Sequence, residues 1–364
     1  MKILICTAST GGGHKRAAQA LMEYFQKNSD HEVKIVDGLE LGGNVYNYLV
    51  CEGYSVLVKK TPRLYGKIYK DSDKHSALNS LTNNINNSRG KHLLPTIEEF
   101  EPDVIISCHA FITTMLGGLK SDGKISAKII ALVTDFKSHY TYIADGIDHY
   151  IVSSMEMVDD FKRKYNIDRT RVHPYGIPVL ERFSKPVDKK IIKRTLGLEE
   201  NVRTALFMAG SFGVSEVFDF YREIADKAVD CQFIVITGNN EKLFKKFEKI
   251  VRSNTKLLMF VSNVEDYMHA ADIIITKPGG LTVSESLQCE LPMAIYSAYP
   301  GQEKDNANYL KESGVAILLD KNPGDAIRNL ISNEGLLSKM RENCRKIRSS
   351  NSSQKILELI ESSN

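Results

Sequence analysis

Four glycine-containing stretches, each set between an apolar run and a helical pattern, carry the residue types that could perform group transfer. The first is Thr7-Ala8-Ser9-Thr10-Gly11-Gly12-Gly13-His14. Glycines there let a ligand approach the backbone, and the N-terminus of the helix that follows favours anionic groups. The stretch is not a P-loop, because Lys and Ser/Thr do not follow at the required spacing. It is not G-x-G-x-x-G either, because Arg16 stands at the final glycine position. His14 is expected at the tip of this turn, where the positive helix end would hold it neutral, as a general base must be. A first-turn histidine merely bonded to the turn is the plainer alternative, and this motif alone leaves both open.

The second stretch is Thr276-Lys277-Pro278-Gly279-Gly280-Leu281-Thr282-Val283-Ser284-Glu285. Its backbone NH groups and helix start suit a diphosphate, and Thr282 or Ser284 could donate further hydrogen bonds. Glu285 is expected on the first helical turn, where a carboxylate would suit two ribose hydroxyls. Thr282 with Glu285 also reads as a T-x-x-E capping box. Beyond the next apolar run comes Pro300-Gly301-Gln302-Glu303-Lys304-Asp305-Asn306, whose Gln302, Glu303 and Asn306 could hold sugar hydroxyls. A further turn, Met208–Gly213, could bring Gly210 and Ser211 to phosphate. The D-x-D triplet Asp71-Ser72-Asp73 sits in a basic segment whose lysines could satisfy it, so no metal site is expected. Glycine-turn NH groups and helix dipoles can stabilise a leaving diphosphate instead.

These turns need strands to position them. Apolar runs at Lys2–Thr7, Val33–Val36, Val104–Ser107, Ile129–Val133 and Tyr150–Val152 alternate with helical patterns, beginning with His14–Phe25. The pattern restarts at Ala205–Met208, Phe233–Thr237, Leu257–Phe260, Ile273–Thr276, Met293–Tyr296 and Val315–Leu318. Such alternation predicts an α/β protein of two doubly wound, Rossmann-like domains facing a cleft. Ligands in such sheets bind beyond the carboxyl ends of the strands. The expected boundaries are 1–177 for the first domain, 178–200 for a proline- and lysine-bearing linker and 201–346 for the second domain. Residues 347–364 form a terminal helix able to cross back. The segment 44–94 is longer than a crossover needs, and Lys59–Lys91 carries eight basic residues against Asp71 and Asp73, an excess of six positive charges. Lys59, Lys60, Arg63, Lys67 and Lys70, interleaved with Leu and Tyr, suit an anionic membrane surface. A solvated helical pair is the plainer reading.

Bulk composition narrows the classes. The chain has 364 residues, with 48 basic against 45 acidic side chains and a net charge of +3. So balanced a chain gives no overall charge argument for nucleic acid. The six cysteines form no C-x-x-C pair, which fits a reducing, cytoplasmic compartment. No stretch approaches the roughly 18 apolar residues of a membrane span, so work at a membrane would be peripheral.

Taken in order, Gly11–His14, Val133-Thr134-Asp135-Phe136, Tyr175–Val179, Met208-Ala209-Gly210, Thr276–Glu285 and Pro300–Asn306 resemble one family along nearly the whole chain. It is that of the monogalactosyldiacylglycerol synthases and processive diacylglycerol glucosyltransferases. It is similar, more distantly, to the N-acetylglucosaminyltransferase of the peptidoglycan lipid precursor. The resemblance implies a GT-B fold and inverting transfer of a hexose from a UDP-sugar substrate to a lipid, with no cofactor. It implies that His14 is the acceptor-activating base, with Asp135 and nearby His139 on the acceptor side of the cleft. The implied donor site comprises Gly13, Gly210, Ser211, Lys277, Gly279, Gly280, Leu281 and Thr282. It continues with Glu285 on the ribose, backbone near Phe260 and Val261 on uracil, and Gln302, Glu303 and Asn306. His109 and Tyr142 fall with the acceptor region. The chain departs from the family there: Tyr142 stands where a tryptophan is usual, and Cys108-His109-Ala110-Phe111 lacks the proline of the plant-like histidine pattern. A UDP-N-acetylglucosamine 2-epimerase and a non-catalytic UDP-sugar sensor are the competing readings.

Overall fold

Runs such as Ile3-Leu4-Ile5 and Ile273-Ile274-Ile275 carry no polar alternation, so strands made of them must be covered on both faces. A computed structural model describes residues 1–8, 12–41, 61–73, 88–209, 214–228, 230–296, 298 and 300–362, and in it each of these runs is fully buried. They form two six-stranded sheets in which every pairing is parallel.

The first sheet holds β1 (Lys2–Thr7), β2 (Glu32–Asp37), β3 (Val104–Ser107), β4 (Lys128–Leu132), β5 (His149–Ile151) and β6 (Val172–His173), in the order β2-β1-β3-β4-β5-β6. The second holds β7 (Arg203–Met208), β8 (Cys231–Ile236), β9 (Thr255–Leu258), β10 (Ile273–Thr276), β11 (Met293–Ile295) and β12 (Ala316–Leu318), in the order β12-β11-β10-β7-β8-β9. Strand order reverses between β1 and β3 in one sheet and between β7 and β10 in the other. A crevice opens at each reversal, where the chain leaves in opposite directions. His14 follows β1, His109 follows β3 and Pro278–Gly280 follow β10, so these segments reach the crevices. Two residues are too few to read as an apolar run, which is why β6 was not expected.

Eight helices matter for the site: α1 (Gly12–Asn28), α2 (Pro62–Ser72), α3 (Ala110–Ser121), α4 (Lys189–Thr195), α5 (Gly280–Gln288), α6 (Gln302–Glu312), α7 (Glu334–Ile347) and α8 (Ser352–Ser362). α1 buries Ala17, Ala18, Ala20, Leu21 and Phe25, a stripe at helical spacing. It begins at Gly12, so Gly12 and Gly13 lie inside its first turn and His14 is a helical residue rather than the tip of a turn. The segment read as linker is not free chain. It contains α4, whose Lys189 and Lys193 pair with buried Asp272 beside Arg203 and Arg341. A buried carboxylate requires such partners, and they fasten α4 to the base of β10.

One apolar cluster runs across the junction between the sheets, joining Leu21, Phe136 and Ile177 to Leu281, Val283 and Ile274. α8 lies against α1 and adds Ile356, Leu357 and Ile360 to the same cluster. Gly280 is required by this packing: a Cβ there would lie 1.9 Å from the Thr134 carbonyl oxygen. Gly66 plays the same part for α2, where a Cβ would lie 2.6 Å from Pro300 Cβ.

Candidate active site at the domain junction

His14 Nδ1 lies 2.8 Å from the Cys108 carbonyl oxygen. A carbonyl only accepts, so Nδ1 carries the proton and Nε2 keeps its lone pair. Burial lowers the His14 pKa, while the Asp135 charge and the Cys108 carbonyl act in the opposite direction. His109 meets the His14 ring edge-on, with centroids 4.7 Å apart. It caps α3 by accepting from Phe111 N at 3.2 Å, and burial followed by His14 holds its pKa well below the ordinary value. Both imidazoles are thereby kept neutral.

Asp135 and Tyr142 are each 5% exposed, and Thr134 is 7% exposed. Tyr142 OH lies 3.3 Å from Asp135 Oδ2 and 3.1 Å from Thr134 Oγ1, and Thr134 Oγ1 lies 3.3 Å from His14 Nδ1. Burial, reinforced by Asp135, raises the Tyr142 phenol well above its ordinary pKa, so it stays protonated. The second domain reaches the same carboxylate. Gln302 Nε2 donates to Asp135 Oδ1, and Asn306 Nδ2 donates to it at 3.3 Å. Asn306, 1% exposed, also accepts from Phe136 N at 3.0 Å and donates to the Pro278 carbonyl at 3.1 Å. Gln302 and Asn306 thus bridge the two domains here, and Glu303 stands beside them on the first turn of α6.

The donor-side residues divide sharply. Gly279 N donates to the Lys277 carbonyl at 2.9 Å, and the outer face of Gly279 meets open space. The first-turn NH groups of α5 have no acceptor within their own helix. Gly13 packs 3.7 Å from Leu281 Cβ, and Thr282 is half-buried. The capping box does not form, because Gly279 is the N-cap and Glu285 lies on the second turn. Glu285 is instead 2% exposed, with Oε1 3.2 Å from Arg16 Nη1 of the first domain. Its Oε2 has no hydrogen-bond partner among the described residues. Burial pushes its carboxyl up to about 7, with Arg16 pulling the other way. Phe260, 67% exposed beyond edge strand β9, and Val261 stand farther along the same end of the sheet. Gly210 and Ser211 lie outside the described residues.

Residues grouped with the acceptor separate into two sets. His109 and Tyr142 join His14. His139 is 4% exposed, stacks on Tyr69 at 4.1 Å and bonds the Tyr69 carbonyl at 3.0 Å through Nε2, so it fastens α2 instead. Asp73 completes that clamp by accepting from Tyr140 N at 2.9 Å and Tyr165 OH at 2.6 Å. Those two partners, rather than lysines, satisfy the D-x-D triplet's last carboxylate. Lys67, Lys70 and Leu64 are exposed on α2, and Arg63 lies on the same helix. Lys59 and Lys60 lie outside the described residues. Among the described residues no cluster of three or more His, Cys, Asp or Glu could hold a metal ion, and no helix is long and apolar enough to cross a membrane. Sequence reasoning gave no role to Thr134 or Arg16. Thr134 stood in a quoted motif, but nothing in spacing places residues 134 and 14 together.

Comparison with known proteins finds relatives along nearly the whole chain. Residues 14–179 match the monogalactosyldiacylglycerol (MGDG) synthase family model, and residues 204–361 match the glycosyltransferase family 28 C-terminal domain. A processive diacylglycerol beta-glucosyltransferase of Bacillus pumilus (strain SAFR-032) is 30% identical over 373 residues, covering 98% of this chain and 94% of that relative. Its counterpart in Bacillus subtilis (strain 168) is 27% identical, with the same coverage of 98% and 94%. Among solved structures, a UDP-GlcNAc 2-epimerase from Neisseria meningitidis bound to UDP-GlcNAc superposes with a TM-score of 0.65 at 15% identity, covering both chains completely. MurG of Acinetobacter baumannii superposes with a TM-score of 0.62 at 14% identity, covering 99% of each chain. At such identities these two likenesses establish the fold only. The sequence relationship goes further: this chain belongs to the family of monogalactosyldiacylglycerol synthases and processive diacylglycerol glucosyltransferases, and is a glycosyltransferase of GT-B fold.

Proposed function

We propose that the chain transfers a hexosyl group from a UDP-sugar to diacylglycerol, with inversion and without a metal ion, at the cytoplasmic face of a membrane. The observation that carries the chemistry is the fixed tautomer of His14. With Nδ1–H committed to Cys108, Nε2 takes the acceptor hydroxyl proton as the oxygen attacks the anomeric carbon. The bond from that carbon to the diphosphate oxygen breaks in the same displacement, UDP leaves with the electron pair, and one displacement inverts the centre. Charge on UDP would meet the first-turn NH groups of α5 beside open Gly279. Glu285 would accept from ribose hydroxyls, with Phe260–Val261 near the base and Gln302, Glu303 and Asn306 on the sugar. Gly210 and Ser211 would complete the phosphate site, so donor binding belongs to residues 201–346.

The acceptor follows from the relatives, whose names specify diacylglycerol and glucose. The exposed Leu64, Lys67 and Lys70 of α2 would meet an anionic bilayer, together with Lys59, Lys60 and Arg63. Purified protein should release UDP from UDP-glucose only when diacylglycerol vesicles are present, in EDTA, with a β-linked glycolipid found by mass spectrometry and NMR. Transfer abolished by EDTA would defeat metal independence. Acceptor-free conversion of UDP-N-acetylglucosamine would defeat the transferase reading in favour of an epimerase.

A further inference from the structure

The polar atoms between Asp135 and His14 admit a single arrangement of hydrogens. Asp135 already receives Gln302 and Asn306 and acts as an acceptor, so the protonated Tyr142 hydroxyl donates to it. The Tyr142 oxygen must then accept from Thr134, whose hydroxyl hydrogen is used in doing so. Thr134 Oγ1 is left to accept, as the longer branch of a shared hydrogen bond, from the same His14 Nδ1–H that the Cys108 carbonyl holds. The Cys108 carbonyl independently demands that Nδ1 be the protonated nitrogen. Two unrelated constraints therefore agree on the tautomer, and the three donors His14, Thr134 and Tyr142 point their dipoles toward one carboxylate.

We propose that Thr134 and Tyr142 are positioning residues that join Asp135 to His14 through one directed hydrogen-bond chain. The inference rests on the reading of His14 as the base. No proton travels along the chain: the acceptor proton arrives at Nε2 and the Nδ1 proton stays. The aligned dipoles stabilise the positive charge that this arrival creates, in a buried site where such chains polarise one another. Each link needs a hydroxyl, because only a hydroxyl both accepts from one neighbour and donates to the next. A phenyl does neither, and an indole only donates. The far end is held by α6, so the geometry of the base and the approach of the second domain share one carboxylate.

The groups facing His14 leave Asp135 as the charge whose influence the chain transmits. Lys15 and Arg16 of α1 are paired with Asp37 and Glu285. His109 is held neutral, and burial keeps the Cys108 and Cys6 thiols protonated. The test is the His14 titration midpoint, read by side-chain NMR on the full-length protein labelled at histidine, together with turnover on UDP-glucose and diacylglycerol vesicles. In Thr134→Val and Tyr142→Phe the midpoint should fall by about 0.5 pH unit, since the charged imidazole loses its link to Asp135. Turnover should drop about three- to tenfold, while Thr134→Ser restores both. Midpoints equal to wild type in the Val and Phe variants, or equal losses in Val and Ser, would overturn the chain while leaving the base assignment standing. Full turnover in His14→Ala would instead defeat the base assignment itself.

Discussion

The two sheets reverse strand order in the same way, yet the polar groups placed at the two reversals differ. Beyond β1 and β4, half-buried His14 and buried Thr134, Tyr142 and Asp135 are bonded to one another, with donors and acceptors matched. Beyond β10, Gly279 faces open space and Glu285 keeps one oxygen with no hydrogen-bond partner among the described residues. A base must be held in one tautomer before substrate arrives, so its surroundings are complete in advance. A site for a nucleotide must present groups that the ligand completes. Under the proposed function, the contrast corresponds to opposite tasks for crevices that share one topology.

The largest expected effect lies on the saturated side. His14→Ala should lower turnover by roughly 10²–10⁴ while calorimetry finds UDP affinity nearly unchanged. A parallel loss of UDP binding would erase the distinction between the crevices. Gly280→Ala should follow, because its Cβ would meet the Thr134 backbone oxygen at 1.9 Å, which no rotamer can relieve. Pushing the crevices apart should cost about 10²-fold in kcat, and small-angle scattering should report a wider molecule. On the open side, Glu285→Ala should weaken UDP binding about tenfold. Unaltered affinity would count against the ribose role.

The smallest effect is on stability. Glu285 is held at about 7 in the folded protein against an ordinary value of 4.5. Between those values the folded chain keeps a proton that the unfolded chain has lost, so stability rises as pH falls from 7 toward 4.5 and is lowest above 7. Glu285→Gln, which resembles the protonated form, should raise Tm by a few degrees at pH 8 and leave it unchanged at pH 5. Equal Tm changes at both values would mean that Arg16 fully compensates the buried charge.

Much of the architecture was legible because parallel strands covered on both faces are continuous apolar runs. β1, β3 and β10 fall on their expected residues, and the remaining anticipated strands differ by a residue or two at their ends. The glycine turns were legible for a related reason: a chain that turns from strand into helix against a neighbour needs residues without side chains. Gly280 is such a residue, although its neighbour proved to be the Thr134 carbonyl. How the linker packs was not legible, because nothing near Lys189 and Lys193 in sequence announces the buried Asp272 with which they pair.

By itself, then, the sequence determined the two α/β domains and the order of their turns. Each follows from local pattern, since strand period, glycine placement and residue type are properties of neighbouring positions. Only the tertiary structure decided that Tyr142 and Thr134 connect Asp135 to His14, that His139 and Asp73 fasten α2, and that Arg16 of one domain meets Glu285 of the other. Those contacts join residues tens to hundreds of positions apart, and hydrogen-bond partners at such separation are selected by packing, which spacing along the chain does not encode.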